Sequence, residues 1–259
     1  MHYKNINFEI KNQIAFVELS RVEKHNAIDM AMFIEIEDVI KTIAKDRMIR
    51  AVIVSGKGED FCSGIDIKSL LKSPKHAAQL LFKWLPWQSN RAQKVSTGWR
   101  KIPAPVIFAM HGRCWGAGMQ IAFGADFRIT TPNASISIME ARWGLIPDMG
   151  GTLALREVLR LDVAKELAMT AKVLTGDEAL SYGLISKVSI NPLQKAIEFA
   201  NEISTYSPDA VAACKKLYNK SWWGSSGLAL ARETFYQIKV LLGKNYKIKT
   251  FNQTHDKTD

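Results

Sequence analysis

The sequence predicts an α/β core followed by a C-terminal helical region, and three observations support this fold class. Short apolar runs rich in branched residues alternate with helical patterns over the first 150 residues. Beyond Gly151, apolar residues recur every three or four positions, which is typical of helices. The chain has 259 residues, of which 47% are hydrophobic and 23% charged, so it can bury a large core.

The predicted elements of the core alternate between strands and helices along the chain. Apolar side chains recur at helical spacing over residues 28–45, and a glycine-rich turn leads into a predicted helix over 117–124. Short runs of branched residues, bounded by polar residues or glycine, are typical of buried strands. The predicted strands cover residues 13–19, 50–56, 104–110, 127–131 and 134–138.

The C-terminal part of the chain is predicted to be helical. A capped short helix ends at Gly183, and residues 192–243 predict three further helices separated by two turns. The sixteen residues after Gly243 are polar, which favours a partly disordered tail. We therefore predict a core over residues 1–195 and a C-terminal helical region with a polar tail over residues 196–259.

The composition argues against several classes of protein. No uninterrupted apolar run approaches the ~20 residues that a membrane span requires, and the N-terminus lacks the apolar centre of a signal peptide. Three widely spaced cysteines, Cys62, Cys114 and Cys214, fit neither a disulfide framework nor a Cys-x-x-Cys metal site. We expect a cytoplasmic protein that binds no metal and no membrane.

The net charge of +10 suggests an anionic partner. Residues 72–101 hold seven Lys and Arg residues and no acid, so this stretch could bind nucleic acid or a polyphosphate ligand. A solvated basic helix face is the alternative interpretation. Because no RNP1 or zinc-finger signature accompanies the stretch, a small anionic ligand is favoured over DNA or RNA.

Two glycine-containing turns follow predicted strands, at "F-C-S-G-I-D-I-K" (61–68) and "H-G-R-C-W-G-A-G-M-Q" (111–120). Such turns can point backbone N–H groups at a developing oxyanion. Neither matches a nucleotide-binding glycine motif. Further along, "S-I-M-E-A-R-W-G-L-I-P-D-M-G-G-T" (137–152) contains two acids, Glu140 and Asp148. They are either surface and capping residues or proton-transfer groups in a pocket.

These segments together resemble the crotonase superfamily of enoyl-CoA hydratases and isomerases. The segment "E-K-H-N-A" (23–27) resembles the coenzyme A-binding turn of that family, without the proline that usually precedes it. Residues 173–188 resemble a helix signature of the family. The resemblance implies a spiral of ββα turns whose C-terminal helices build a homotrimer or hexamer. It also implies an acyl-CoA thioester substrate, with no cofactor beyond the coenzyme A that the substrate carries.

The resemblance also implies roles for individual residues. The backbone N–H groups of Ile65 and Ala117 would form the oxyanion hole. The pair Glu140 and Asp148 resembles the two carboxylates of the dienoyl-CoA isomerase branch, with Glu140 near the thioester and Asp148 further along the acyl chain. Gln120 stands where hydratases have a first glutamate. A glutamine can orient water but cannot shuttle a proton, which favours isomerisation over hydration.

Residues expected to contact coenzyme A or the substrate lie in the turns already described. Lys24 and Lys68 are candidate phosphate contacts. Burial among Trp143, Leu145 and Ile146 is expected to raise a carboxyl pKa toward neutrality. The expected coenzyme A and substrate contacts are Lys24, Ala27, Ser63, Gly64, Asp66, Ile67, Lys68 and Gly116.

Several alternatives remain open from the sequence. Asp148 could cap a helix that begins near Gly150, Gln120 could satisfy a buried hydrogen bond, and His111 is interpreted as a structural residue at a strand end. Trp84, Trp87 and Trp99 could line an acyl pocket or pack in a core or trimer interface. As a whole, the protein could be a hydratase that relies on Glu140, or a catalytically weak member that binds acyl-CoA or RNA.

Overall fold

The computed structural model describes residues 3–71 and 73–245, and its strands form two sheets. The strands are β1 (Ile6–Lys11), β2 (Ile14–Leu19), β3 (Ala51–Gly56), β4 (Val106–Met110), β5 (Arg113–Trp115), β6 (Phe127–Thr130), β7 (Ser135–Ser137) and β8 (Lys187–Val188). The main sheet has the order β1-β2-β3-β4-β6-β8. Its β1 is antiparallel to β2, and the other neighbours are parallel.

Helices connect these strands and then make up most of the C-terminal part of the chain. The helices are α1 (Met30–Lys45), α2 (Ile67–Leu71), α3 (Pro74–Leu81), α4 (Arg91–Thr97), α5 (Ala117–Ala122), α6 (Gly151–Val158), α7 (Leu161–Thr170), α8 (Gly176–Ser181), α9 (Pro192–Ser204), α10 (Pro208–Ser221) and α11 (Ser226–Leu241). Short 3-10 turns lie at Val22–Lys24, Trp99–Lys101 and Glu140–Trp143.

A small second sheet lies beside the main one. Strands β5 and β7 are parallel, and single bridges extend their pairing from Cys62 to Cys114 and from Ile136 to Leu174. In the unit β4-β5-α5, the first strand therefore joins the main sheet and the second joins the small sheet. The pair β6 and β7 repeats this division, which is the ββα spiral that the resemblance implied.

Alternation along the central strands divides the apolar core between the two faces of the main sheet. Val52 and Val54 of β3 contribute to the larger core cluster, whereas Ile53 packs in a second cluster with Ala196 and Ala200 of α9. Parallel strands covered on both faces are apolar at nearly every position, as β3 and β4 are. The helix α9 thus covers one face, and α1 contributes to the core on the other.

The structure confirms the predicted strands of the core but adds elements that were not predicted. Strand β1 alternates apolar residues with polar ones, and this period of two was the signal that could have identified it. Helices α2 and α3 were also not predicted. The predicted boundary at residue 195 lies inside α9, and the division into core and helical region stays a prediction. Most of the predicted polar tail, residues 246–259, lies outside the described residues.

Candidate active site

The two glycine turns lie against each other where β3 and β4 end. Gly64 has φ +108°, and a Cβ built on it would lie 3.2 Å from the Trp115 carbonyl oxygen and 4.0 Å from the Ala117 nitrogen. Gly116, with φ +49°, directly precedes α5. Within residues 3–71 and 73–245, neither the Ile65 nor the Ala117 amide donates to a backbone acceptor. Two adjacent turns therefore each present a free N–H group, as the oxyanion-hole prediction requires.

Close backbone packing fixes the distance between the two turns. The Cys62 amide donates to the Arg113 carbonyl at 2.9 Å, and the Trp115 amide donates to the Cys62 carbonyl at 3.0 Å. A Cβ built on Gly118 would lie 2.7 Å from the Cys62 carbonyl oxygen. Only glycine permits this approach without a shift of backbone, so helix α5 begins in direct contact with the first turn.

The turn at residues 23–27 is joined to the first oxyanion turn. The Ser63 amide donates to the His25 carbonyl at 3.0 Å, and the Ile28 amide donates to the Gly64 carbonyl at 2.8 Å. His25 and Asn26 both have positive φ values, near +50°. The buried Asn26 side chain supports this uncommon backbone by accepting from the Arg21 amide and donating to two carbonyl oxygens.

An ion pair fastens the same two segments. Arg21 donates to the Asp66 carboxylate at 2.9 Å and to the Ala27 carbonyl at 2.8 Å. Partial burial opposes ionisation of Asp66, but the hydrogen bonds from Arg21 and from the Ser69 amide hold its pKa below the usual range. Asp66 therefore holds the turn together. Among the predicted coenzyme A contacts, Lys24 and Lys68 are exposed beside this junction.

Glu140 is a buried acid without a countercharge. Glu140 follows β7 in the chain. Its side chain faces the second glycine turn, because a Cβ built on Gly116 would lie 3.4 Å from the Glu140 Oε1 atom. The Oε1 atom accepts a hydrogen bond from Gln120 at 2.5 Å, whereas the buried Oε2 atom has no partner in the described part of the chain. Burial raises the pKa of Glu140, and the negative charge of Asp148 raises it further, while the Gln120 bond opposes the rise.

Gln120 connects Glu140 to the segment that carries Asp148. It is 1% exposed, and it lies on α5. Its Oε1 atom accepts from the Met149 amide at 2.8 Å while its Nε2 atom donates to Glu140. The expectation of a satisfied buried hydrogen bond is therefore confirmed. With both ends of its amide in use, Gln120 holds the carboxylate in place.

Asp148 is exposed and is not a helix cap. Helix α6 begins at Gly151, its N-cap is Gly150, and no side chain caps it. Among the described residues, Asp148 accepts no hydrogen bond and forms no ion pair, so the capping alternative is wrong. The expected burial among Trp143, Leu145 and Ile146 is also wrong for the single chain. All three side chains are exposed because the loop after Glu140–Trp143 turns outward, and the burial of Glu140 comes from the core side of the turn.

The comparison with known proteins identifies the family. The family model described as enoyl-CoA hydratase/isomerase matches residues 9–238, which is most of the chain. The chain belongs to the enoyl-CoA hydratase/isomerase family. In solved structures, this chain is similar to an enoyl-CoA hydratase from Bacillus anthracis, with a TM-score of 0.85 at 26% identity over 97% of each chain.

Relatives within the enoyl-CoA hydratase/isomerase family include both kinds of enzyme. The chain is 35% identical over 213 residues to the mitochondrial Δ(3,5)-Δ(2,4)-dienoyl-CoA isomerase of Rattus norvegicus. That match covers 79% of this chain but 65% of the rat protein, so the chain spans less than two thirds of its length. It is also 33% identical to the short-chain-enoyl-CoA hydratase of Clostridium acetobutylicum, over 90% of this chain and 88% of that protein.

Three basic side chains of residues 72–101 form ion pairs with acids elsewhere in the fold. Arg91 and Lys94 both pair with Glu37 of α1, and Arg100 pairs with Glu157 of α6. Three of the seven cations thus have acidic partners that lie far away in sequence, although Arg91 and Lys94 share the single charge of Glu37. Lys72 lies outside the described residues. The polyanion-binding interpretation of this stretch stays a prediction.

The remaining predicted side chains divide between core and surface. His111 Nε2 donates to the Gly58 carbonyl at 2.8 Å, which confirms its structural role at a strand end. Trp99 is buried in the core, whereas Trp84 and Trp87 are 81% and 79% exposed. An acyl-pocket role for those two tryptophans stays a prediction.

The described part of the chain shows neither a membrane span nor a metal-binding cluster. Among residues 3–71 and 73–245, no helix has the length and apolar character of a membrane span. The same residues bring together no group of three His, Cys, Asp or Glu side chains that could hold a metal ion. The name of the rat relative places that protein in mitochondria, and the expected cytoplasmic location of this chain stays a prediction.

Three residues that support the site were not among the predicted site residues. Arg21 and Asn26 hold the turn at 23–27, and Arg113 binds Asp60 through its side chain at 2.7 Å and 3.0 Å. His25 Nδ1 also lies 2.9 Å from Asp60. Their partners lie up to 88 residues away in sequence, so the quoted runs at 23–27 and 111–120 contained Asn26 and Arg113 without showing how they are paired.

Proposed function

We propose that this protein shifts double bonds of an enoyl- or dienoyl-CoA thioester through an enolate, with Glu140 and Asp148 as the proton-transfer groups. The observation that carries the proposal is the buried, unpartnered Oε2 atom of Glu140 beside the glycine turn that presents the Ala117 amide. An acid in such a place has its pKa raised and is suited to exchange a proton near a bound thioester.

The free amides of Ile65 and Ala117 would stabilise the enolate. When a proton leaves the carbon next to the thioester, negative charge develops on the carbonyl oxygen. The two N–H groups can donate hydrogen bonds to this oxygen. Removing one such donor typically costs about 3 kcal/mol in the barrier. Because both donors belong to backbone that close packing holds in place, they need little reorganisation during the reaction.

The proton transfers balance without a metal or redox cofactor. Glu140 takes a proton from C2 of a 3,5-dienoyl thioester, and the electron pair delocalises into the carbonyl and along the chain. Asp148 delivers a proton at C6, which leaves the double bonds at C2 and C4. For a 3-enoyl thioester, protonation at C4 gives the 2-enoyl product. The exposure of Asp148 on the outward loop supports its assignment to the distal end of the acyl chain.

Gln120 supports isomerisation over hydration. Addition of water needs one group to orient the water and a group to exchange its protons, and the amide cannot supply the second. Its oxygen accepts from the Met149 amide and its nitrogen donates to Glu140, so these bonds fix its orientation beside Glu140. The protein would therefore have one buried acid where a two-acid hydratase has a pair.

The coenzyme A part of the substrate would lie along the joined turns. We assign Lys24 and Lys68 to its phosphates and the backbone of Ala27, Ser63 and Gly64 to its polar groups. Ile67 and Gly116 would contact the substrate near the oxyanion hole. Asp66 would act indirectly, because its carboxylate is already bound by Arg21.

Hydration of a 2-enoyl-CoA is the second candidate function. It is favoured by the short-chain-enoyl-CoA hydratase of C. acetobutylicum, which this chain matches over nearly its whole length, whereas the match to the rat isomerase covers 65% of that protein. Glu140 alone would then handle the protons of the water. A catalytically weak member that binds acyl-CoA or RNA would show neither activity.

Ultraviolet absorbance separates these functions directly. The purified protein is given a 3,5-dienoyl-CoA and, separately, a 2-enoyl-CoA. We expect growth of the conjugated 2,4-dienoyl band and a loss of about 10²–10⁴-fold in Asp148→Asn. The matched control is Asp162→Asn, which changes an exposed acid on α7. Hydration of the 2-enoyl thioester that survives Asp148→Asn would contradict the isomerase assignment and favour the hydratase. Salt-sensitive RNA binding without either reaction would favour the binding protein.

We also propose a homotrimer, with a hexamer as the alternative. Helices α10 and α11 expose large apolar side chains that would be costly in contact with water, which supports an interface between copies. Light scattering after size-exclusion chromatography tests the mass directly, and a monomeric mass would contradict the proposal. The exposed apolar residues are Tyr218, Trp222, Trp223, Leu228, Leu230, Phe235 and Ile238.

A further inference from the structure

A cavity of about 760 Å³ lies between the C-terminal helices and the core, far from the candidate active site. It is lined by the end of α1, the segment before β4, and helices α10 and α11. Ile49 and Arg50 precede β3, and Pro105 precedes β4, so the cavity meets the strands at their amino ends. The oxyanion turns follow the carboxyl ends of the same strands, about 20 Å away for a six-residue strand.

The lining combines apolar walls with unpaired cations. Ile203, Val211, Ala212 and Val240 are half-buried and supply apolar surface. Five lining cations form no ion pair within the described ranges, and the two lining acids, Asp46 and Asp209, form none either. These cations are Arg47, Lys101, Lys216, Lys220 and Lys239.

Three other basic side chains of the lining already have partners, so they add no unpaired positive charge to the cavity. Lys215 is buried and donates to Asp126 at 2.6 Å, and Arg100 pairs with Glu157. Arg50 donates to two backbone carbonyl groups at the end of α9. The acids Asp46 and Asp209 accept from neutral partners, the Met48 amide and the Asn245 side chain. Among the described residues, the lining thus contains five cations without an ion pair and two acids, and the Lys216 Nζ atom also lies over the Tyr236 ring, 5.9 Å from its centroid.

We propose that this cavity binds a small amphiphilic anion, an aliphatic chain that ends in a carboxylate or a phosphate. The volume lies within the range of about 300–1,000 Å³ that is common for small-molecule sites. An apolar body would cover Ile203, Val211 and Val240, and the anionic end would pair with the cations that form no ion pair. A purely apolar ligand would leave the cations unused, and a bare inorganic anion would leave the apolar walls exposed to water. The site is independent of the proposed isomerisation.

Isothermal titration calorimetry on the full chain tests the site with dodecanoate, dodecyl phosphate and inorganic phosphate as probes. We expect one dodecanoate or dodecyl phosphate per chain, with weaker binding at high salt, and no measurable binding of inorganic phosphate. The two amphiphiles distinguish a carboxylate from a phosphate end. The double variant Lys216→Gln/Lys239→Gln should weaken the tighter probe by about tenfold or more. The matched control, Lys11→Gln/Lys165→Gln, removes the same charge from exposed positions outside the lining.

Competition separates this cavity from the acyl-CoA site. Saturating crotonyl-CoA should not displace dodecanoate, and Glu140→Gln should bind dodecanoate as the unmodified protein does. Displacement by crotonyl-CoA would place the amphiphile in the acyl-CoA site and overturn the proposal. Equal affinity of Lys216→Gln/Lys239→Gln and the control, or no heat with either amphiphile at millimolar concentration, would also overturn it. A second variant, Ala212→Phe, narrows the cavity without changing its charge and should weaken binding of both dodecanoate and dodecyl phosphate.

Discussion

Glu37 on α1 and Glu140 at the candidate active site are equally buried, at 8% exposure each, yet their environments are opposite. Lys41, Arg91 and Lys94 contact the Glu37 carboxylate at 2.9 to 3.4 Å. Burial opposes ionisation of Glu37, but these cations outweigh it and lower its pKa. Within residues 3–71 and 73–245 no cation pairs with Glu140, and burial raises the pKa of its carboxyl group.

The contrast shows that burial alone does not mark an acid for chemistry. Glu37 is buried and paired, so it holds α1 against α4 as a structural link. Glu140 is buried with one oxygen bound by an amide and the other unpartnered, and its nearest charge is another acid. A protein keeps such an unfavourable arrangement where it serves function, since a paired or apolar residue would be more stable there.

The largest expected effect concerns catalysis at these two positions. We expect Glu140→Gln to lower kcat of the proposed isomerisation by about 10²–10⁴-fold, because the amide cannot exchange the proton. Glu37→Gln, matched in chemistry and burial, should leave kcat within a few fold. Steady-state rates at 25 °C measure both. Comparable losses in the two variants would mean that Glu140 acts through the fold.

A smaller effect is expected from Gln120, which positions Glu140. Gln120→Leu removes the hydrogen bond that lowers the pKa of Glu140, so the acidic limb of the kcat profile should move to higher pH. We also expect kcat to fall about tenfold, since two buried groups lose their partner. Gln120→Glu restores the length and adds an acid, which should move the limb further in the same direction. An unmoved limb in both variants would exclude a positioning role.

The smallest expected effects are changes in the free energy of unfolding, which depend on pH in opposite ways for Glu37 and Glu140. The lowered pKa of Glu37 contributes stability above the ordinary pKa of glutamate, and this contribution is lost as pH falls through the folded-state pKa. Glu37→Gln should therefore lower the free energy of unfolding at pH 7 and not at strongly acid pH. For Glu140 the folded-state pKa is raised, so the unmodified protein loses stability as pH rises through it.

Glu140→Gln removes that loss and should raise the free energy of unfolding at pH 7, with no gain below the ordinary pKa of glutamate. Urea unfolding of both variants at pH 7 and at strongly acid pH measures the four differences. Differences of the same sign at pH 7 would contradict the contrast between the two acids.

Local patterns predicted the strands of the core because branched runs between polar boundaries are a short-range signal. The same signal was present in β1 as a strict alternation, and its omission was an avoidable error. The joined turns at 23–27 and 61–68 could be predicted by resemblance. How they are fastened could not, because Arg21 and Asp66 lie 45 residues apart and nothing local connects them.

Charge counting over residues 72–101 missed the acidic partners of this stretch for the same reason. The stretch contains no acid, but Glu37 lies 54 residues before Arg91, and Glu157 lies 57 residues after Arg100. The capping alternative for Asp148 also rested on local sequence alone. Its position suggested a cap, whereas α6 begins one residue later than expected, with glycine at the N-cap. In each case tertiary contacts, which spacing does not encode, decided the role.

The close contact between Gly118 and Cys62 has a consequence for how such a protein can change over evolution. Main-chain packing holds the two free amides apart at a set distance, and no side chain at the acidic positions takes part in that packing. Mutations at positions 120 and 148 can therefore replace one reaction with another while enolate stabilisation persists. A scaffold that separates these tasks lets descendants acquire new activities through few substitutions, without first losing the step that every one of those reactions shares.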